Sequence, residues 1–168
     1  MDLLTTGGAG CAAAAHCPGQ SEAAYRTEFA LWALTQSPLL VATDVRNLTT
    51  PMASLMLNRE LLDVHQNTAT PPGRLLGAWR CIEPLKCSVW GRALSVDGAE
   101  WLVALVNLGS RAHAISAAWS ELGWPEALVA SVRDVIEQRP MPNATGVLSL
   151  EVAPQDTRLL RLMCIANE

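Results

Sequence analysis

The sequence predicts two folds in series: an α/β segment first, then an all-β antiparallel sandwich. Three observations predict this. An apolar stripe at helical spacing (Tyr25, Phe29, Trp32) runs through a short turn into the uninterrupted apolar residues 39–42. A turn-rich stretch carrying Thr68, Thr70, Pro71 and Pro72 follows. Beyond it, short strand-like runs recur between turns with no clear helix among them.

Taken in order, Asp2-Leu3-Leu4 reads as a short apolar strand end, and residues 5–10 are too glycine-rich for helix or strand. Those glycines lack the Gly-Lys-Ser/Thr ending of a phosphate loop and follow no complete strand, which disfavours that reading. Ser21 is a good N-cap, with Glu22 favourable in the first helical turn. Leu31 widens the apolar stripe, and Ser37-Pro38 stops the helix. Residues 39–42 are apolar on both faces, as expected of a buried central parallel strand. Asp44, Arg46 and Asn47 then lie at the carboxyl end of that strand, where α/β proteins place their ligands. Thr50, with Pro51 behind it, begins a second helix whose apolar residues run from Met52 to Val64, with a break near Asn58. A boundary in residues 65–73 divides the chain into 1–73 and 74–168.

In the second part, residues 88–94 and 100–107 flank Val96-Asp97-Gly98, and Asp-Gly between two apolar runs signals a hairpin. Further strands are expected at 113–118, 129–134, 147–152 and 157–164. Pro140-Met141-Pro142-Asn143 and Ala153-Pro154-Gln155-Asp156 read as turns between them.

Composition bounds the function. Of 168 residues, 50% are hydrophobic and 17% charged, which suits a packed core rather than disorder. The net charge is −4 with Lys and Arg scattered, so nucleic acid is not an expected partner. No run reaches the roughly 18 apolar residues of a membrane span, and no signal peptide is visible at Met1. Cys11 and Cys17, and likewise Cys81 and Cys87, are spaced to close small loops, with Cys164 left over; disulfides and free thiols both fit. Zinc fits less well, because the spacings are wide and His16 and His113 lack paired ligands. Asn47-Leu48-Thr49 and Asn143-Ala144-Thr145 are glycosylation sequons compatible with secretion.

One parallel strand with two helices cannot close a core. Left exposed, Phe29, Trp32, Leu39 and Val41 would each forfeit about 1.5–3 kcal/mol. The expectation is that the missing strands come from another chain or from a preceding part of a longer protein.

Several motifs, in order, resemble one family. Phe29-Ala30-Leu31-Trp32-Ala33-Leu34, Ser37-Pro38-Leu39-Leu40 and Asp44-Val45-Arg46-Asn47 are similar to the closing helix, strand and loop of the barrel in family 27 of the glycoside hydrolases, the α-galactosidases. Residues 57–67 (Leu-Asn-Arg-Glu-Leu-Leu-Asp-Val-His-Gln-Asn) are similar to the next family motif, with Gln66-Asn67 where the family has Gln-Asp. Residues 101–109 extend the likeness into the sandwich.

The resemblance implies the end of a (β/α)8 TIM barrel followed by an antiparallel β-sandwich. It also implies retaining hydrolysis of terminal α-D-galactosides, with α-N-acetylgalactosaminidase or β-L-arabinopyranosidase specificity as the alternative within the family, without a cofactor, in a secreted, lysosomal or vacuolar protein. Retention needs two carboxylates about 5–5.5 Å apart. The family carries both upstream of this sequence, so no residue here is assigned as catalytic. Asp2 and Leu3 match the end of a family Asp-Pro-Asp-Met-Leu motif, which implies that Asp2 contacts sugar hydroxyls and that Leu3 lies beside the sugar. Asp44 is expected to brace its own loop through Arg46, and His65 and His113 to be structural. A different class, a non-catalytic sugar-binding sandwich, would need exposed aromatics, for which Trp90, Trp119 and Trp124 are the candidates. A truncated product without an independent role is the third reading.

Overall fold

The computed structural model describes residues 19–41, 43–78 and 86–165. Helix α1 spans Glu22–Leu34, α2 Thr50–Met56 and α3 Arg59–Gln66, with a short 3-10 turn at Val45–Asn47 between the first two. Eight strands follow: β1 Arg74–Ala78, β2 Cys87–Ala93, β3 Glu100–Asn107, β4 His113–Ala118, β5 Val129–Asp134, β6 Arg139–Thr145, β7 Val147–Val152 and β8 Thr157–Cys164. A single-turn helix, α4 (Trp119–Leu122), separates β4 from β5.

Local chemistry explains the helix ends. Ser21 Oγ accepts from Ala24 N–H at the start of α1. At its end Gln36 adopts φ 54°, and the Ser37 and Gln36 amides donate to Trp32 O and Ala33 O, a left-handed cap usually built on glycine. The cap of α2 is Thr49, one residue before the expected Thr50, because it is the Thr49 hydroxyl that accepts from Met52 N–H. The expected break at Asn58 is a cap as well: Asn58 Oδ1 accepts from Leu61 N–H and opens α3.

The strands hydrogen-bond in the order β1-β2-β3-β8-β5-β6-β7-β4, with every pairing antiparallel. β6 meets β7 at one pair only, Thr145 with Val147. The sheet folds over there, so that β4 and β7 lie against β2 and β3 to make a sandwich. β6 and β1 lie outside the strands expected from sequence. β6 carries Pro140 and Pro142, which read as turn residues. The strand tolerates them because it pairs continuously only with β5, and its other edge needs few donors.

Two apolar clusters share β3. Val103 and Leu105 point into the sandwich with Val89, Ile115, Trp119, Leu160 and Leu162. Leu102, Ala104 and Val106 point the other way, with Leu159, against Phe29, Ala30, Ala33 and Leu34 of α1 and Leu61 of α3. The buried stripe of α1 is thus Tyr25, Phe29, Ala30, Ala33 and Leu34. Trp32, expected on that stripe, is only half-buried at its flank.

The run 39–41 departs most from expectation. It pairs as no strand beyond an isolated bridge at Val41, and Leu40 and Val41 are 48% and 45% exposed rather than buried. A central parallel strand is buried only when neighbours flank it, and among the described residues none does. Cys87 is disulfide-bonded, with its partner outside the described residues, whereas Cys164 is a free thiol.

Polar contacts fasten the helices to the sandwich. Arg26 of α1 forks onto Asp156 through Nε (3.1 Å) and Nη2 (2.6 Å). Arg133 of β5 reaches Glu60 of α3 at 2.6 Å. The buried Arg92 donates to Val64 O (3.1 Å) and to Asn67 O at the carboxyl end of α3, where the helix dipole favours a cation. Gly73 N–H donates to Leu34 O at 3.0 Å, an approach so close that an added Cβ would lie 2.8 Å from that oxygen.

Two outcomes follow from this junction. Leu102→Ala empties space between β3 and the helices and is expected to lower stability by about 2–5 kcal/mol in urea unfolding. The second concerns acid. Hydrogen bonding from Arg133 holds the Glu60 carboxyl below its ordinary value of 4.5. Its contribution is therefore complete above pH 4.5. As the pH falls further, the unfolded chain takes up the proton first and the contribution shrinks, vanishing once the folded carboxylate is protonated too. Glu60→Gln should melt below the unaltered protein at neutral pH, and the gap should close below pH 4.5 in melting curves taken across pH.

Candidate functional site

The polar cluster after residues 39–41 is built around Asp44 and Arg46. Asp44 caps the 3-10 turn: its Oδ1 accepts from the Arg46 amide (3.1 Å) and from Arg46 Nε (2.8 Å), and its Oδ2 from Arg46 Nη2 (2.9 Å). This two-pronged contact from Asp44 pushes the Arg46 guanidinium above its ordinary value. The carboxylate is spent on its own loop, as expected of a brace. Its chain neighbours Leu40, Val41 and Val45 are exposed apolar residues.

His65 and Asn67 are structural. His65 Nε2 lies 2.9 Å from Ser37 O, holding α3 to the end of α1. Asn67 donates to Leu94 O and accepts from Ala69 N–H, both at 2.9 Å, while Gln36 Nε2 donates to its carbonyl. Asparagine in place of the family's aspartate thus serves as both donor and acceptor across the helix–sheet joint.

Two clefts open along that joint. One, of about 280 Å³, is lined by charged side chains that include Arg26, Asp134, Glu137, Asp156 and Arg158. Its two buried carboxylates are already committed. Asp134 accepts from Arg158 Nη2 (2.6 Å) and from the amides of Ile136 and Glu137. Asp156 accepts from Arg26 and from its neighbour's amide, Thr157 N–H, at 2.8 Å. Acid–base work on a sugar needs one carboxylate able to attack and another able to carry a proton, and both of these are paired with arginine. The adjoining cleft, of about 270 Å³, is lined by Pro51, Met52 and Leu55 on one side and Ile136 to Gln138 on the other. Among the described residues, no grouping of His, Cys, Asp and Glu could hold a metal ion.

The aromatic candidates for a sugar platform are not on the surface. Trp119 is fully buried and Trp124 nearly so; the two rings pack edge-to-face at 5.5 Å, with their indole nitrogens donating to Leu128 O and Gly98 O. Trp90 is half-buried beside the helical cluster. Asp2 and Leu3 lie outside the described residues, as do the residue 5–10 loop, Cys11, Cys17 and Cys81.

The buried polar residues of the fold include Asn58 and Asp156, expected only as a helix break and a turn residue, and Arg92, Asn107 and Asp134, which were not singled out from sequence. Asn107 ends β3 and donates to Val152 O and Ala153 O while accepting from Gly109 N–H. The only sequence trace of that role is a glycine two residues after an asparagine at a strand end.

Comparison with known proteins gives this arrangement a family. Residues 86–162 match the α-galactosidase C-terminal β-sandwich domain. The α-galactosidase of Coffea arabica is 30% identical over 141 residues, covering 84% of this chain and 35% of that protein. That of Oryza sativa is 31% identical over 141 residues, covering 84% and 32%. The chain therefore spans about a third of the length of the curated relatives it matches. A solved β-L-arabinopyranosidase of glycoside hydrolase family 27 from Geobacillus stearothermophilus superposes over 99% of this chain and 37% of its own, with a TM-score of 0.83 at 22% identity, a likeness of fold. The sandwich is matched directly by the α-galactosidase C-terminal β-sandwich domain, and the likeness to α-galactosidases runs back through the helices over 84% of the chain, as in the C-terminal portion of such a protein.

Proposed function

We propose that this chain is the C-terminal portion of a retaining glycosidase that releases terminal α-D-galactose, with the catalytic carboxylates on barrel strands that precede it. In this reading residues 1–73 end the barrel and 74–168 form the sandwich. Asp2 contacts a sugar hydroxyl and Leu3 packs beside the sugar. The substrate is an α-galactoside, the protein acts in a secreted, lysosomal or vacuolar setting, and nucleic acid and membrane are not partners.

The observation that carries this reading is the apolar run 39–41, with Leu40 and Val41 exposed, within a stretch that aligns with α-galactosidases. An apolar run standing half in water is what a barrel strand looks like without its neighbours. The chemistry points the same way. Every buried carboxylate at the junction is held by arginine or by backbone amides, so the proton transfers of glycoside cleavage belong to groups elsewhere.

The direct measurement is hydrolysis of a chromogenic α-galactoside. The isolated chain is expected to give no turnover above the uncatalysed rate. The same chain joined to the barrel sequence encoded upstream of Met1 is expected to be active. Robust turnover by the isolated chain would overturn the proposal, as would an upstream reading frame that does not encode barrel strands.

A further inference from the structure

We propose that Asn143 is an N-glycosylation site, occupied when the chain passes through a secretory pathway. The sequence Asn143-Ala144-Thr145 supplies the acceptor triplet, with no proline at its centre. The fold then presents it. On β6, Met141 pairs with Val132 and Ala144 with Ala130, so Pro142 and Asn143 together face the single residue Ser131. That is a β-bulge, and the extra residue is turned out of the ladder. Met141 and Ala144, on either side, pack against the sandwich core, while Asn143 and Thr145 are exposed. Neither exposed side chain makes a hydrogen bond to the described residues. A glycan can therefore leave Asn143 Nδ2 without displacing any contact, and the Thr145 hydroxyl is available to be read by a transferase.

The other sequon differs. In Asn47-Leu48-Thr49 the Thr49 hydroxyl accepts from Met52 N–H at 3.4 Å and caps α2. Its hydroxyl is part of a helix start, and nothing comparable restrains Thr145.

The transfer balances with one co-substrate, an oligosaccharide carried on a polyprenyl diphosphate. A bond forms between Asn143 Nδ2 and the anomeric carbon of the first N-acetylhexosamine. The bond from that carbon to the diphosphate oxygen breaks, and the diphosphate leaves with the electron pair. One amide proton passes to a base of the transferase. On the product, the sugar would stand over β6, whose outer edge is unpaired apart from Thr145 and is otherwise blunted by Pro140 and Pro142. Shielding an open strand edge is a role that does not depend on the catalytic reading above.

The test is peptide mass spectrometry of the full chain secreted from a glycosylating eukaryotic host, with glycans released by peptide-N-glycosidase in heavy-oxygen water. The expected result is that the peptide containing Asn143 carries the isotope label left by glycan removal. The intact mass should fall by one glycan in N143Q and in T145A, and T145S should keep it. Recovery of Asn143 unlabelled from the secreted protein overturns the proposal, and so does a glycan confined to Asn47. Should N143Q fail to secrete, the label on the unaltered chain still decides the matter.

Discussion

The rest of the structure depends on β3 being buried on both faces. A strand with one wet face alternates apolar and polar residues, but Leu102 to Val106 are apolar without interruption. Val103 and Leu105 fill the sandwich, while Leu102, Ala104 and Val106 form the floor on which α1 and α3 sit. β8, hydrogen-bonded to β3, divides its residues in the same way, Leu160 and Leu162 inward and Leu159 outward. Ala104 is small because a helix passes over it: Ala30 and Ala33 meet this face with no exposed surface of their own. Backbone elements approach that closely only where side chains are short, so the volume at these positions is fixed from both sides.

Around this apolar contact lies a ring of polar ones, each joining an early residue to a late one. Arg26 meets Asp156, Glu60 meets Arg133, Asn58 donates to Val135 O, and Thr27 lies 2.9 Å from Thr157 Oγ1. Their partners lie 73 to 130 residues apart in sequence, so each ties the helical segment to a strand or turn late in the chain. Arg92 is the extreme case. Burial pulls its guanidinium below its ordinary value, and its partners are carbonyls and a hydroxyl rather than a carboxylate. A buried cation tolerates this because two of those carbonyls are the unsatisfied end of α3.

Sequence was most legible where one period dominates. β3, β4, β5, β7 and β8 fall on the residues expected from alternation and turn chemistry, and the capped helix α1 follows from Ser21 and its apolar spacing. It was least legible where a distant partner decides. The prolines of β6 read as a turn, and only the β5 neighbour makes the segment a strand. The run 39–41 has the composition of a buried strand, yet composition reports what a segment needs and not whether its neighbours are at hand. The same limit applies to the site. Asp44 is the exception: it was expected to brace its loop through Arg46, and its carboxylate makes that contact. Asp134 ends an expected strand and Asp156 an expected turn, with no motif that marks either as a junction carboxylate. They were invisible because their roles come from arginines brought in by the fold, Arg158 across the sheet and Arg26 from α1.

The change of pattern between residues 65 and 73 marks a boundary of topology more than one of energy. A sandwich made to stand alone would have a polar outer face. This one carries Leu102, Ala104, Val106 and Leu159 there, all almost wholly buried under the helices. Cutting the chain near Gly73 would expose that apolar floor and strip Arg92 of its carbonyl partners and Asp156 of its arginine. The helical segment would lose as much, since its apolar residues have no other floor among the described residues. The helices thus belong energetically to the sandwich, although by sequence pattern they belong to an α/β unit. Their other face, with Leu57 and the nearby run 39–41, lies open. A layer committed on one side and open on the other acts as a connector.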